Sequence, residues 1–303
     1  SVFKMASEDF NIQVEAHNAN GVITRNFQSA DITGTVALTH NLQAPQGGID
    51  GVLSPNAVPA NGFVSGVATI TDAKFNEVGI IELLANLSSR NYLNHSDGGA
   101  ISGNKANVGR FIPAQFEMTE QTLTSACNSF TYYSQPFDEL SYTITAQDVL
   151  GNRLYNYTYH ATSTLNFAKA SIENLIENDD AANYKSATQL APRYSLSADD
   201  GVDWQQGLYV VNVNNATLER DSAPSIPMTQ VIPLVRLTDS DGKVLNDLNQ
   251  NANQLAGTAD SRAINTNVIG GVEIIGYRAR KARVEKSLIH EIHLAVFLQG
   301  ARS

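Results

Sequence analysis

The chain has 303 residues, 42% of them hydrophobic, enough for one large core or two ordinary ones, and the usual domain size of roughly 100 to 200 residues favours two. With 30 acidic residues against 20 basic ones the formal net charge is -10, which repels phosphate backbones and anionic lipid surfaces and excludes nucleic acid as an expected partner. Only 17% of the residues are charged, so the polar surface falls to Asn, Ser, Thr and Gln, a balance closer to secreted β-rich proteins than to cytosolic enzymes.

The opening stretch "SVFKMASEDF" has no basic region followed by an apolar one and does not read as an export signal; any such signal is expected to have been removed or to lie outside this sequence. Strand patterns begin at once. Phe10, Ile12, Val14 and Ala16 alternate with Asn11, Gln13 and Glu15, and Ile32, Gly34, Val36 and Leu38 alternate with Thr33, Thr35, Ala37 and Thr39, each run giving one apolar face. Further strands are expected at 79–85, 140–146, 208–218, 231–237 and 272–277. Turn signals separate them: Asn20-Gly21, Gln46-Gly47-Gly48, Asn61-Gly62, Leu150-Gly151-Asn152, Asp200-Gly201 and Asp241-Gly242. Two stretches depart from this pattern. Residues 171–184 have apolar spacing closer to a short helix, and 278–299 have helical propensity, although the alternation of Ile292, Leu294, Val296 and Leu298 favours two strands there. No run approaches the 18 apolar residues of a membrane helix, so no membrane insertion is expected within this chain. The sum is an all-β chain of tandem immunoglobulin-like β-sandwich domains.

One hairpin plan occurs twice. Asp9 to Phe27 lies over Glu139 to Tyr157 without a gap at an offset of 130, matching Ala16 with Ala146, Gly21 with Gly151, Asn26 with Asn156 and Phe27 with Tyr157. The apolar positions Phe10, Ile12 and Val14 fall on Leu140, Tyr142 and Ile144, and a looser echo sets 70–75 over 213–218. The expected organisation is therefore a β-sandwich module over 1–112 and a related module over 113–303, enlarged around 165–203 and 240–270. Between them Pro113 is expected to fix the angle, with Phe111 and Phe116 buried between the modules.

The joining stretch 107–137, "NVGRFIPAQFEMTEQTLTSACNSFTYYSQPF", carries Gly109, Arg110, Phe111, Pro113, Phe116, Cys127, Phe130, Thr131, Tyr132, Gln135, Pro136 and Phe137, followed by Thr145, Ala146, Asn156 and Tyr157. In this order the residues resemble a motif of the MSHA biogenesis protein MshQ family, large exported proteins of Gram-negative bacteria encoded with the mannose-sensitive haemagglutinin type IV pilus. Residues 75–93, 200–209, 237–245 and 277–287 resemble other segments of that family more loosely. At 286–291 the family's usual Gly-Ser-Glu turn is replaced by Lys286-Ser287-Leu288-Ile289-His290-Glu291. The resemblance implies a fragment of a larger exported protein at the bacterial surface, with pilus or cell-envelope proteins, and surface glycans, as its partners.

Candidate sites are few. Cys127 is the single cysteine, so no disulfide forms within the chain, and its expected role is a small apolar filler. His290 and His293 are three apart, not the four that place two imidazoles on one helical face, and a polar rim position is expected for both. The "DSDG" of 239–242 lacks the remaining ligands of a calcium loop and reads as a hairpin turn. Asp199, Asp200 and Asp203 beside Trp204, the only tryptophan, give a candidate glycan-binding cluster, because carboxylates bond sugar hydroxyls while an indole stacks on the ring's apolar face; anchoring a sandwich core is the commoner use of such a Trp. Tyr155, Tyr157 and Tyr159 are expected on one face of one strand, as a packing ladder. There is no nucleophile elbow, P-loop or dinucleotide fingerprint, and no metal or cofactor is expected. The leading expectation is a non-enzymatic extracellular module for structure and adhesion in a pilus-associated protein, followed by an independent carbohydrate-binding domain and then by a glycoside hydrolase.

Overall fold

In the computed structural model the described residues are 1–28, 35–59, 61–87, 101–127, 130–159, 165–178, 184–196, 204–221 and 228–243, with the backbone of 261–263 and 272–275. The chain is all-β. In the first half, β1 (Lys4–Met5), β2 (Phe10–Glu15), β3 (Val36–Ala44), β4 (Leu53–Ser54), β5 (Phe63–Val64), β6 (Val67–Phe75), β7 (Gly79–Leu87) and β8 (Ile101–Ile112) make two sheets. One runs in the order β1-β8-β7-β3; the other is β2-β6-β4, with β5 also on β6. Alternation makes them a sandwich: Phe10 and Ile12 of β2 turn inward while Asn11, Gln13 and Glu15 face out, and Ala68, Ile70, Ala73 and Phe75 of β6 meet Leu38, Ile81 and Phe111 from the other sheet.

The second half repeats the plan. Its strands are β9 (Gln115–Thr124), β10 (Phe130–Tyr132), β11 (Glu139–Gln147), β12 (Ala170–Asn178), β13 (Leu208–Val213), β14 (Met228–Asp239), β15 (Ser261–Ala263) and β16 (Val272–Ile275), with one helical turn, α1 (Ala187–Leu190), after β12. The order β10-β16-β14-β12 copies β1-β8-β7-β3, down to the parallel pairing of the first two strands of each list. Across the core, β11 pairs with β13 as β2 pairs with β6. One difference stands out: β11 carries a further strand, β9, on its other edge, whereas among the described residues nothing pairs with the corresponding edge of β2.

The likeness reaches single hydrogen bonds. In the first hairpin Gly21 N–H bonds Asn18 O, Thr24 N–H bonds Ala16 O and Phe27 N–H bonds Thr24 O; in the second, Gly151, Leu154 and Tyr157 N–H bond Asp148, Ala146 and Leu154 O. Gly66 and Gly207 then return the chain beside each hairpin, donating to Phe27 O and Tyr157 O and accepting from Ala16 and Ala146 N–H. Both have φ near +80° (+83° and +80°), and an added Cβ would stand 2.5 Å and 2.3 Å from the carbonyl oxygens of Thr24 and Leu154. Behind each hairpin lies an edge-to-face aromatic pair with centroids 5.0 Å apart, Phe27 with Phe63 and Tyr157 with Trp204.

Several expectations are corrected. Residues 171–178 are strand, not helix: Ile172, Leu175 and Ile176 sit in β12, whose C-terminal half is buried on both faces, so the alternation that marks a strand is lost, and 179–183 lie outside the described residues. Tyr155, Tyr157 and Tyr159 are not one strand; the chain turns at 155–156, leaving Tyr155 exposed, Tyr157 fully buried and Tyr159 packed at the core's margin. The 70–75 echo is out by two positions, since Phe75 O and Ala216 O, which accept from Ser7 and Phe137 N–H, are the true equivalents. Phe111 and Phe116 do not meet between the sandwiches; Phe111 belongs to the first core and Phe116 to the second. Residues 278–299, with His290 and His293, lie outside the described residues.

Candidate functional site

Four buried polar side chains, Ser7, Glu77, Asp148 and Asn156, gather where the two sandwiches join. Only Pro113 and Ala114 separate β8 from β9, so the halves are held at close range by the backbone itself. The second hairpin, at 148–156, is placed against the loops at the end of the first sandwich. Its tip residue Asp148 is fully buried and accepts from Leu150 N (2.9 Å), Asn152 N (2.8 Å) and the hydroxyl of Ser7 across the junction (2.6 Å). Val149 N–H adds a bond to Ala6 O.

On the returning arm Asn156, 3% exposed, works as an adapter: its Oδ1 accepts from Ile49 N (2.8 Å) while its Nδ2 donates to Ile49 O (2.9 Å) and Val78 O (3.2 Å). Next to it the Glu77 carboxylate accepts from the backbone N–H groups of Val78, Tyr155 and Asn156 at 2.9, 2.9 and 3.1 Å. Burial dominates over those three donors and, with Asp148 nearby, pushes the Glu77 carboxyl up to about 7. Ala6 and Val78, from the first half, complete the second core.

A second clasp lies beside it. Arg110 at the end of β8 grips Asp241 through both guanidinium nitrogens at 2.5 Å, with side chains 12% and 6% exposed. Burial pushes Asp241 up, but the bond and charge of Arg110, with Lys169 and Lys243, outweigh it and hold its carboxyl below the ordinary value. Asp239 moves the other way: burial raises it, and its Oδ1 meets no hydrogen-bond partner among the described residues. The 239–242 stretch is a turn closed by Gly242 N–H on Asp239 O, which is how Asp241 is aimed at Arg110.

Of the candidate glycan cluster only Trp204 lies among the described residues, and it belongs to the core. Trp204 is 0% exposed; its indole N–H donates to Ala170 O (2.9 Å) and its ring packs on Phe116, Tyr157 and Tyr209, so no face is left for a sugar. Asp199, Asp200 and Asp203 lie outside the described residues. Cys127 is half-buried, its sulfur beside the Gln135 amide. Among the described residues no group of three or more His, Cys, Asp or Glu side chains is placed to hold a metal ion, and no helix is long and apolar enough to cross a membrane.

Sequence reasoning named Asn156 and Arg110 as motif residues without a role and Asp241 only as part of a turn, and missed Ser7, Glu77 and Asp148. Glu77 in "FNEVG" carries the one local signal, an acidic residue between Phe75 and Val78, both fully buried. No curated protein matches the chain. Two family models do: residues 1–73 match the second domain of DUF6701 and residues 77–265 its third domain. The division falls just ahead of Glu77, although β7 and β8 beyond it complete the first sandwich. The chain belongs to the DUF6701 family and carries its second and third domains.

Proposed function

We propose that the chain is a non-enzymatic spacer and attachment module of an exported protein at the surface of a Gram-negative bacterium, of the pilus-associated kind that the MshQ resemblance implies. Its work is spatial: two sandwiches fixed in one orientation present the neighbouring parts of the protein, and the partners in pilus or envelope, at a set distance. The observation that carries this reading is the buried polar junction. Glu77, Asn156, Asp148 and Arg110 each make at least one hydrogen bond across the junction, and a freely jointed pair of domains has no use for such a seam. Placing four desolvated polar groups there fixes geometry more than it adds stability, because each is costly unless every bond is made.

Spin labels at the exposed Val64 and Val210 test it by electron-electron distance measurement. A single narrow distance distribution is expected in the native chain, and a broad one in Asn156→Ala. A native distribution as broad as the variant's would overturn the reading. Protease shaving of intact cells of the parent bacterium tests location, with release of fragments of this chain as the expected result.

A further inference from the structure

Among the described residues the first sandwich is open where the second is closed. Along the outer edge of β2 two adjoining cavities, about 470 and 500 Å³, reach the core between β2 and β8. They are lined by Phe10, Ile12 and Val14 and, at the far end, by Ala16, Phe27 and Phe63. The same space in the second sandwich holds β9. There Phe116, paired with Ala146, packs on Tyr157 and Trp204; Met118, paired with Ile144, and Leu123, paired with Leu140, cover the rest of the core. Every receiving residue has its twin: Ala146, Ile144 and Leu140 correspond to Ala16, Val14 and Phe10, and the Tyr157–Trp204 pair to Phe27–Phe63 with the same centroid distance of 5.0 Å.

The backbone of β2 is set for a partner as well. Ala16 N–H points to Gly66 on the β6 side, so by alternation the amides of Asn11, Gln13 and Glu15 point to the open edge. The matching amides of β11 are those turned toward β9.

We propose that the groove along β2 is a strand-acceptor site, filled in the longer protein by an extended segment of the same polypeptide directly ahead of β1, paired antiparallel with β2 as β9 pairs with β11. β9 itself lies directly ahead of β10, the twin of β1, and residues 1–73 match what the family counts as its second domain, so in the family's order a first domain stands ahead of it. The segment has an aromatic or large apolar residue over Phe27 and Phe63 and apolar residues facing Val14 and Phe10. Charge distinguishes it from β9: Glu15 stands where Thr145 faces Glu117, so the residue opposite Glu15 is basic or neutral. This goes beyond the spacer role, and its failure leaves the junction untouched.

The test titrates the whole chain with a synthetic peptide of the β9 sequence, residues 115–124, and with the same peptide carrying Glu117→Lys. Saturable binding is expected, with hydrogen exchange at the Asn11, Gln13 and Glu15 amides slowed by about tenfold or more, and the Lys peptide binding about two- to fivefold tighter. Gln13→Pro removes one outward amide and no bond to β6, so it should abolish binding while the melting of the chain is kept. Fusing the Lys peptide ahead of Ser1 through a short flexible linker should raise the melting temperature of the first sandwich by several degrees in a monomer. Absence of binding, protection elsewhere, binding that survives Gln13→Pro, or a fusion with unchanged melting overturns the proposal. A dimer of the unfused chain that Gln13→Pro dissolves would give the groove to a second copy and overturn its assignment to the upstream segment.

Discussion

The hairpins at 16–27 and 146–157 share one backbone and differ in what surrounds the tip. Asn18 in the first and Asp148 in the second accept from the same two backbone positions, Asn20 and Val22 or Leu150 and Asn152. Asn18 is exposed, and one acceptor oxygen suffices for it. Asp148 is fully buried against the first sandwich, and its second oxygen takes the Ser7 hydroxyl, a demand that a single carbonyl oxygen does not meet. Local geometry is thus written by the glycine and the Asx turn, while the choice between amide and carboxylate is written by the neighbour. The same holds one step on: Asn26 is exposed, and its twin Asn156 is drawn into the seam.

The comparison is broken or sharpened most strongly at a fully buried phenylalanine in each core. Phe111→Ala and Phe116→Ala should each cost about 3–5 kcal/mol, the first lowering the melting transition of the first sandwich and the second that of the other; calorimetry that finds both variants weakening the same transition would deny that the residues serve separate cores. Next come the twin glycines. Gly66→Ala and Gly207→Ala force a Cβ onto a backbone carbonyl at positive φ and should destabilise their own sandwiches equally, by roughly 3 kcal/mol each in chemical denaturation.

The junction should respond to pH, and the free hairpin should not. The Glu77 carboxyl, raised to about 7 in the folded protein from an ordinary 4.5, holds its proton more tightly when folded. Its contribution is therefore complete below pH 4.5 and is lost as pH rises through about 7, so going from pH 8 to pH 5 should stabilise the chain through this group by about 2–3 kcal/mol. Glu77→Gln should flatten that difference in denaturant titrations at the two pH values. Removing the tip acceptors separates the hairpins further: Asp148→Ala leaves a buried hydroxyl and two amides short of a partner and should cost about 2–3 kcal/mol, against about 0.5–1 kcal/mol for Asn18→Ala in its exposed turn.

Much of the fold is legible in the sequence because β2 and β11 alternate and because Gly21 and Gly151 mark tips that demand positive φ. The strand β8 is hidden for a physical reason. Residues 101–107 are all exposed, so no apolar rhythm announces them, and the GRF motif at their end reads as a linker. β12 is hidden for the opposite reason, since burial on both faces gives Ile172, Leu175 and Ile176 a helix-like spacing. The candidate site was the least legible part. Glu77 meets Asn156 from 79 positions away and Arg110 meets Asp241 from 131, and no local pattern encodes such a pairing. Trp204 shows the converse: its acidic neighbours suggested a ligand site, while its packing partners Phe116, Tyr157 and Tyr209, scattered over 94 positions, assign it to the core.

The parallel clasp between the first and last strands of the first sandwich, which β10 and β16 repeat in the second, has a mechanical consequence. Lys4 and Met5 run beside Phe111 and Ile112 in the same direction, as Phe130 to Tyr132 run beside Glu273 to Ile275. When the two ends of the first sandwich are pulled apart, β1 and β8 slide lengthwise and their hydrogen bonds are strained together, not peeled one at a time. A tether built this way resists tension through geometry alone, and yields by abrupt rupture instead of gradual stretching.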